Sequence, residues 1–167
     1  GRLRGSVMLM GSLLARVGWA TLAPPGGDFP ARRSISTHLR ALAALGACVT
    51  DHVDGHRLEA PSGLSAASMY LPEASVTGTE TALMAAAAAT GTSELRHAAC
   101  EPHVVELCEM LTAMGARVEG AGTSTLRITG ATALKGVTHT LRGDYIEAAS
   151  WGVVAAVTGG DITGAGA

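Results

Sequence analysis

The nine residues Thr81–Ala89 (Thr-Ala-Leu-Met, then five alanines) carry no charge, and only Thr81 among them has a polar side chain. A helix built from them has no face suited to water, so it must be covered on every side. Whatever this chain folds into therefore holds a helix at its centre rather than on its surface. The rest of the sequence supplies the same filling. It is 47% hydrophobic but only 3% aromatic, so the core has to be assembled from Ala, Val, Leu, Ile and Met. At 167 residues the chain suffices for one domain with a real core, or for two small subdomains.

A recurring pattern surrounds that helix. Val7–Val17 reads as a largely apolar helix stopped by Gly18, and Trp19–Leu22 as a short strand. After a loop, Ile35, Leu39, Leu42 and Leu45 recur at helical spacing, with Ser34 or Ser36 able to cap the start. Gly46 ends that helix. Ala47–Thr50 and His56–Ala60 then read as a strand pair around a turn at Asp54-Gly55. The order returns with the Thr81–Ala89 helix, a strand at Ser93–Leu95 and a loop at Ala98–Pro102. A helix striped by Val104, Val105, Leu107, Cys108 and Leu111 follows, then strands at Arg117-Val118 and Thr125–Ile128. Met114-Gly-Ala116 closes that helix as Leu45-Gly-Ala47 closes the earlier one. A third buried helix is expected at Ile146–Ala156, followed by Asp161–Thr163. The spacing is an internal repeat of roughly seventy residues, longer than solenoid periods, and the third copy is cut short. The sequence is accordingly expected to be a fragment.

Charge and cysteine content exclude several classes. Twelve basic against fourteen acidic residues, a net charge of −2, argue against general nucleic-acid binding, which calls for a basic face. Cys48, Cys100 and Cys108 lack CxxC spacing, and reduced, partly buried thiols in a cytosol are the expectation. His52, His56, His97, His103 and His139 share no metal-ligand spacing, so no metal site is expected. The start, Gly-Arg-Leu-Arg before an apolar stretch, has the outline of a signal peptide. Arg16 ends the apolar run and Trp19 follows where small cleavage-site residues belong, so none is expected. No apolar run approaches the about 20 residues of a membrane span.

The loop Pro24-Pro-Gly-Gly-Asp-Phe-Pro-Ala-Arg-Arg33 stands apart. Two adjacent glycines, three prolines, an acid and two arginines lie between an apolar run and an amphipathic one. Either it is an ordinary turn with a basic tip or it carries chemistry.

The residues favour chemistry through a resemblance. Pro25-Gly-Gly-Asp28, followed by Arg33 and His38, resembles the active-site loop of the UDP-N-acetylglucosamine enolpyruvyl transferase family. The likeness continues through Leu71–Glu80, Cys100-Glu-Pro102, Leu111–Arg117, Gly120–Thr123 and Gly143–Glu147, in the family's order and spacing. It implies an α/β fold, an inside-out α/β barrel built of repeated βαβαββ units with buried helices. Residues 1–142 would be the later two units of the first domain, and 143–167 the hinge crossing and the start of a second. It further implies a bacterial cytoplasmic enzyme that uses phosphoenolpyruvate and UDP-N-acetylglucosamine, with no cofactor, no nucleic acid and no membrane partner. The family's catalytic lysine, general-base aspartate and further arginines have no counterpart here, so these 167 residues alone are expected not to turn over.

The resemblance also assigns roles. Arg33 would grip the phosphoenolpyruvate anion, since a guanidinium presents a fixed fork to phosphate oxygens. Arg4 falls at another active-site arginine. Asp28 stands where most members carry a reactive cysteine; it is either the general acid, its pKa raised, or a turn aspartate capping an amide. His38, Ser75, Val76 and Thr77 match sugar-nucleotide contacts, although His38 could equally be a helix-surface histidine. Glu101 matches an acid near the substrate pocket, or is a helix N-terminal acid favoured by the dipole. Asp144 matches a hinge aspartate near the reacting groups. Ser34, Ser36, Glu73, Thr77 and Tyr145 depart from the usual Pro, Asp, Lys, Gly and Arg, and so put donor-side specificity in question. A paralogue acting on another nucleotide or hydroxyl acceptor, and a non-catalytic domain that keeps the fold, both remain open.

Overall fold

The computed structural model describes residues 4–24 and 34–166. The chain divides into two compact units, residues 1–137 and 138–167. The expected domain crossing at 142–143 falls inside the second.

The first unit opens with a 3-10 turn, Arg4–Met8, that runs into α1 (Leu9–Val17). Gly18, at φ 80°, ends α1 and hands the chain to β1 (Trp19–Leu22). Next come α2 (Ser36–Ala44), β2 (Cys48–His52) and β3 (Gly55–Glu59). The three strands form an antiparallel sheet in the order β1-β3-β2. The β2–β3 turn depends on Gly55. Its φ is 129°, and a Cβ there would come within 2.0 Å of the Leu22 carbonyl oxygen, so no side chain fits.

The remainder of the first unit is β4 (Ser68–Tyr70), α3 (Val76–Ala87), β5 (Thr92–Arg96), α4 (Pro102–Ala113), β6 (Arg117–Glu119) and β7 (Thr125–Thr129). Its sheet runs β4-β5-β7-β6, with β4 parallel to β5 and the other pairs antiparallel. The order helix, strand, helix, strand, strand thus occurs in α1-β1-α2-β2-β3 and again in α3-β5-α4-β6-β7.

The alanine-rich helix lies where its composition requires. Gly78 to Leu83 and Ala85 to Ala87 of α3 are buried, and α1, α2, α4, β5 and β7 all pack on it. Leu83 is fully buried, which stabilises by about 1.5–3 kcal/mol relative to exposure. Met10, Leu14, Leu42, Leu58, Leu95, Leu126 and Ile128 complete one continuous core.

Three sequence expectations need correction. The alanine-rich helix starts at Val76, not Thr81. Thr77, Gly78 and Thr79 are weak helix formers, but the Ser75 hydroxyl accepts the Gly78 N–H at 3.1 Å and caps the helix ahead of them. Neither serine acts as the N-cap of α2, where Ile35 holds that position; Ser34 Oγ instead accepts the Ser36 N–H at 3.0 Å. In the second unit, α5 (Tyr145–Thr158) forms over the expected stretch but buries none of its residues.

Candidate functional site

Asp28, Arg32 and Arg33 lie outside the described residues, and Arg4 is known only as the start of the 3-10 turn. The described chain resumes at Ser34 and enters the first turn of α2, where Thr37 and His38 are both buried.

These two neighbours reach α3 separately. Thr37 Oγ1 donates to Glu73 Oε1 at 3.1 Å, holding an exposed carboxylate just ahead of the α3 cap. A Cβ on Gly78 would approach Thr37 Cγ2 to 2.8 Å, so the glycine lets the two helices meet there. The His38 ring lies between two threonines. Its Nδ1 is 2.9 Å from Thr81 Oγ1 and its Nε2 is 3.2 Å from Thr77 Oγ1. The Thr81 hydroxyl already donates to the Thr77 carbonyl at 2.9 Å, so it accepts from Nδ1–H. In the neutral ring, Nε2 then accepts from the Thr77 hydroxyl. The result is a closed ring of three hydrogen bonds joining α2 to α3. The helix-surface reading of His38 is therefore wrong, because the side chain is 3% exposed.

Ser75, Val76 and Thr77 form the N-terminal turn of α3, the place in a helix where backbone N–H groups and the dipole favour an anion. Ser75 uses its hydroxyl on Gly78, and its carbonyl accepts from both the N–H and the hydroxyl of Thr79, each at 2.8 Å. Thr79 Oγ1 in turn accepts the Ala99 N–H at 3.0 Å. That bond draws in the loop ending at Glu101, which is the N-cap residue of α4 with Pro102 in its first turn. The Glu101 side chain makes no capping hydrogen bond; its carbonyl receives the Val104 N–H at 2.9 Å.

His38, Ser75, Val76 and Thr77 are thus in one cluster, and Glu101 is tied to it through Thr79 and Ala99. Asp144 belongs to the second unit. It caps α5, its carboxylate accepting the N–H groups of Ile146 at 2.8 Å and Glu147 at 3.2 Å. Sequence reasoning missed Glu80, a buried carboxyl on α3 whose pKa burial pushes up. His103 opposes that shift and Glu101 adds to it. The available signal was an acid embedded in an otherwise uncharged helical stretch. Among the described residues no group of three or more His, Cys, Asp or Glu side chains could hold a metal ion, and no helix is long and apolar enough to cross a membrane.

Comparison with known proteins supplies the context. A family model described as EPSP synthase (3-phosphoshikimate 1-carboxyvinyltransferase) matches residues 2–167. The chain is 45% identical over 166 residues to the UDP-N-acetylglucosamine 1-carboxyvinyltransferase of Azorhizobium caulinodans, covering 99% of this chain and 39% of that protein. It is 47% identical over 162 residues to the enzyme of the same name from Treponema pallidum, covering 97% and 38%. It therefore spans about two fifths of the length of these curated relatives. Among solved structures, the enolpyruvyl transferase NikO from Streptomyces tendae superposes with a TM-score of 0.74 at 26% identity, covering 89% of this chain and 36% of that one. An EPSP synthase from Acinetobacter baumannii, at 24% identity and a TM-score of 0.67 over 91% of this chain and 34% of that one, shares the fold.

Proposed function

The chain belongs to the EPSP synthase (3-phosphoshikimate 1-carboxyvinyltransferase) family, and from that premise we propose that it is part of an enolpyruvyl transferase acting on UDP-N-acetylglucosamine. The reaction moves the enolpyruvyl group of phosphoenolpyruvate onto the sugar 3-hydroxyl and releases phosphate, in bacterial cytoplasm, as the first committed step toward peptidoglycan precursors. One observation carries the reading. Identity to the two enzymes of that name described above is 45% and 47% over nearly the whole chain, against 26% and 24% for the two solved relatives.

The chemistry is addition followed by elimination. The acceptor hydroxyl gives its proton to a base and adds through oxygen to the central carbon of phosphoenolpyruvate, whose methylene carbon takes a proton from an acid. Phosphate then leaves as a proton returns from the methyl group. Arg33, with Arg4, would hold the anionic groups, Asp28 would deliver the proton, and Asp144 would act near the reacting groups. Ser75, Val76 and Thr77 would receive the diphosphate on backbone N–H groups of the α3 N-terminal turn, beside His38, with Glu101 at the pocket edge. The finer architecture proposed is an inside-out barrel of βαβαββ units, continued by residues absent from this sequence.

A second reading, a paralogue with another nucleotide acceptor, is favoured by how two unusual residues are wired. Thr77 bonds to His38, and Glu73, a carboxylate beside the anion-receiving turn, is held by Thr37. Phosphate release by the full-length protein separates the readings. With phosphoenolpyruvate, the first reading expects turnover with UDP-N-acetylglucosamine and none with UMP or shikimate 3-phosphate. Turnover with UMP instead establishes the paralogue, and no turnover with any acceptor establishes a non-catalytic domain. Because Asp28 offers no thiol to alkylate, activity should also survive a large excess of fosfomycin. Time-dependent inactivation would contradict the assignment of Asp28.

A further inference from the structure

The loop of residues 97–101 between β5 and α4 is held by three bonds. His97 sits at φ 59°, unusual for a residue other than glycine, and its Nδ1–H donates to the Leu71 carbonyl at 2.9 Å. Ala98 N–H donates to the Ser124 carbonyl at 3.0 Å, and Ala99 N–H to Thr79 Oγ1 at 3.0 Å. The first two tie the loop to residues flanking β4 and β7. The third reaches α3 and meets a buried hydroxyl that both donates and accepts. Thr79 is 0% exposed, its hydroxyl proton goes to the Ser75 carbonyl, and its oxygen receives Ala99. Threonine in a helix has two χ1 wells, and the bonds to the Ser75 carbonyl and from Ala99 hold the oxygen in one of them. On one side of it lies the turn Ser75–Thr77, and on the other the strand of chain that ends at Glu101. The closeness of the two elements also appears at the next residue of α3, where Glu101 and His103 both act on Glu80.

We propose that Thr79 is a positioning residue, whose single buried hydroxyl sets Glu101 against the acceptor-binding turn Ser75–Thr77; its consequence for catalysis rests on the functional reading above. Loss of that hydroxyl leaves the Ala99 N–H buried without an acceptor and frees the loop to move away from the turn.

Two measurements on the full-length protein decide this. Amide exchange, read without ligand, should quicken by about tenfold at Ala99 and also at Gly78, whose N–H donates to the Ser75 hydroxyl, in Thr79→Val, while Thr79→Ser stays near wild type. Faster exchange at Ala99 alone overturns the proposal, because the two segments are then not coupled. In turnover, Thr79→Val should raise KM for UDP-N-acetylglucosamine about tenfold with KM for phosphoenolpyruvate unchanged, and Thr79→Ser should restore it. Glu101→Gln should cost less in the Thr79→Val background than alone. A normal acceptor KM in Thr79→Val, or strictly additive losses, overturns the proposal. Should Thr79→Val not fold, wild-type exchange takes its place: UDP-N-acetylglucosamine should slow Ala99, and an unchanged rate with ligand bound overturns the proposal. A wild type that releases no phosphate with UDP-N-acetylglucosamine brings down the functional reading alone, since the ligand-free exchange still decides Thr79.

Discussion

Helices α3 and α5 are made of nearly the same material and meet opposite fates. Both are rich in alanine and aliphatic residues, and both begin with a side-chain cap, Ser75 for α3 and Asp144 for α5. Yet α3 is enclosed by three helices and two strands, whereas α5 exposes Ile146, Trp151, Val153 and Val157 within a unit of residues 138–167. Composition tells how much covering a helix needs. It does not tell whether the covering is present. Local cap chemistry is enough to start either helix, and enclosure is what turns one of them into a core.

The sharpest way to break this contrast is to remove the same kind of atom from each. In the 167-residue chain, Leu83→Ala should cost about 2–5 kcal/mol in urea unfolding, the range for a cavity in a well-packed core. Val153→Ala should stay within about 0.5 kcal/mol. Equal losses would mean that α5 is enclosed after all. The caps come next in size. Ser75→Ala and Asp144→Ala should each cost about 1 kcal/mol of helix stability. Of the two, Ser75→Ala alone should blunt the thermal stabilisation given by UDP-N-acetylglucosamine to the full-length protein.

The smallest effect concerns the one carboxyl that α3 buries. Glu80 has a folded pKa above the ordinary carboxylate value, so the folded state holds its proton to higher pH than the unfolded chain does. Its favourable contribution is complete below the ordinary value and is lost as pH rises through the folded one. Glu80→Gln should therefore gain on wild type as pH rises above the ordinary carboxylate value, and the two stability curves should run parallel below it. Curves that stay parallel throughout would show that Glu80 is not desolvated.

These regions also show which parts of the molecule the sequence can reveal. The strand Trp19–Leu22 and the helix of Val104–Leu111 were legible because each follows one period with clear stops. The first turn of α3 was not, because its residues are poor helix formers rescued by a single hydrogen bond from Ser75. Strand β4 was missed because it is three residues long and owes its existence to a parallel partner, β5, beyond α3. The burial of His38 depends on Thr77 and Thr81, which lie about forty residues away and leave no local trace. Grouping His38 with Ser75, Val76 and Thr77 came through resemblance; Glu80 left the signal of a lone acid in an uncharged helical stretch, and Thr79 left none, because its partner Ala99 lies in another loop.

Gly78 carries a consequence for how this site can change over generations. Since even a methyl group there would press on Thr37, a replacement requires the Thr37 side chain or α2 itself to shift. Thr37 also holds Glu73, and Thr77 beside the glycine holds His38, so a shift of α2 disturbs both unusual residues together. Variation at this turn should therefore arrive as linked sets of substitutions rather than one residue at a time.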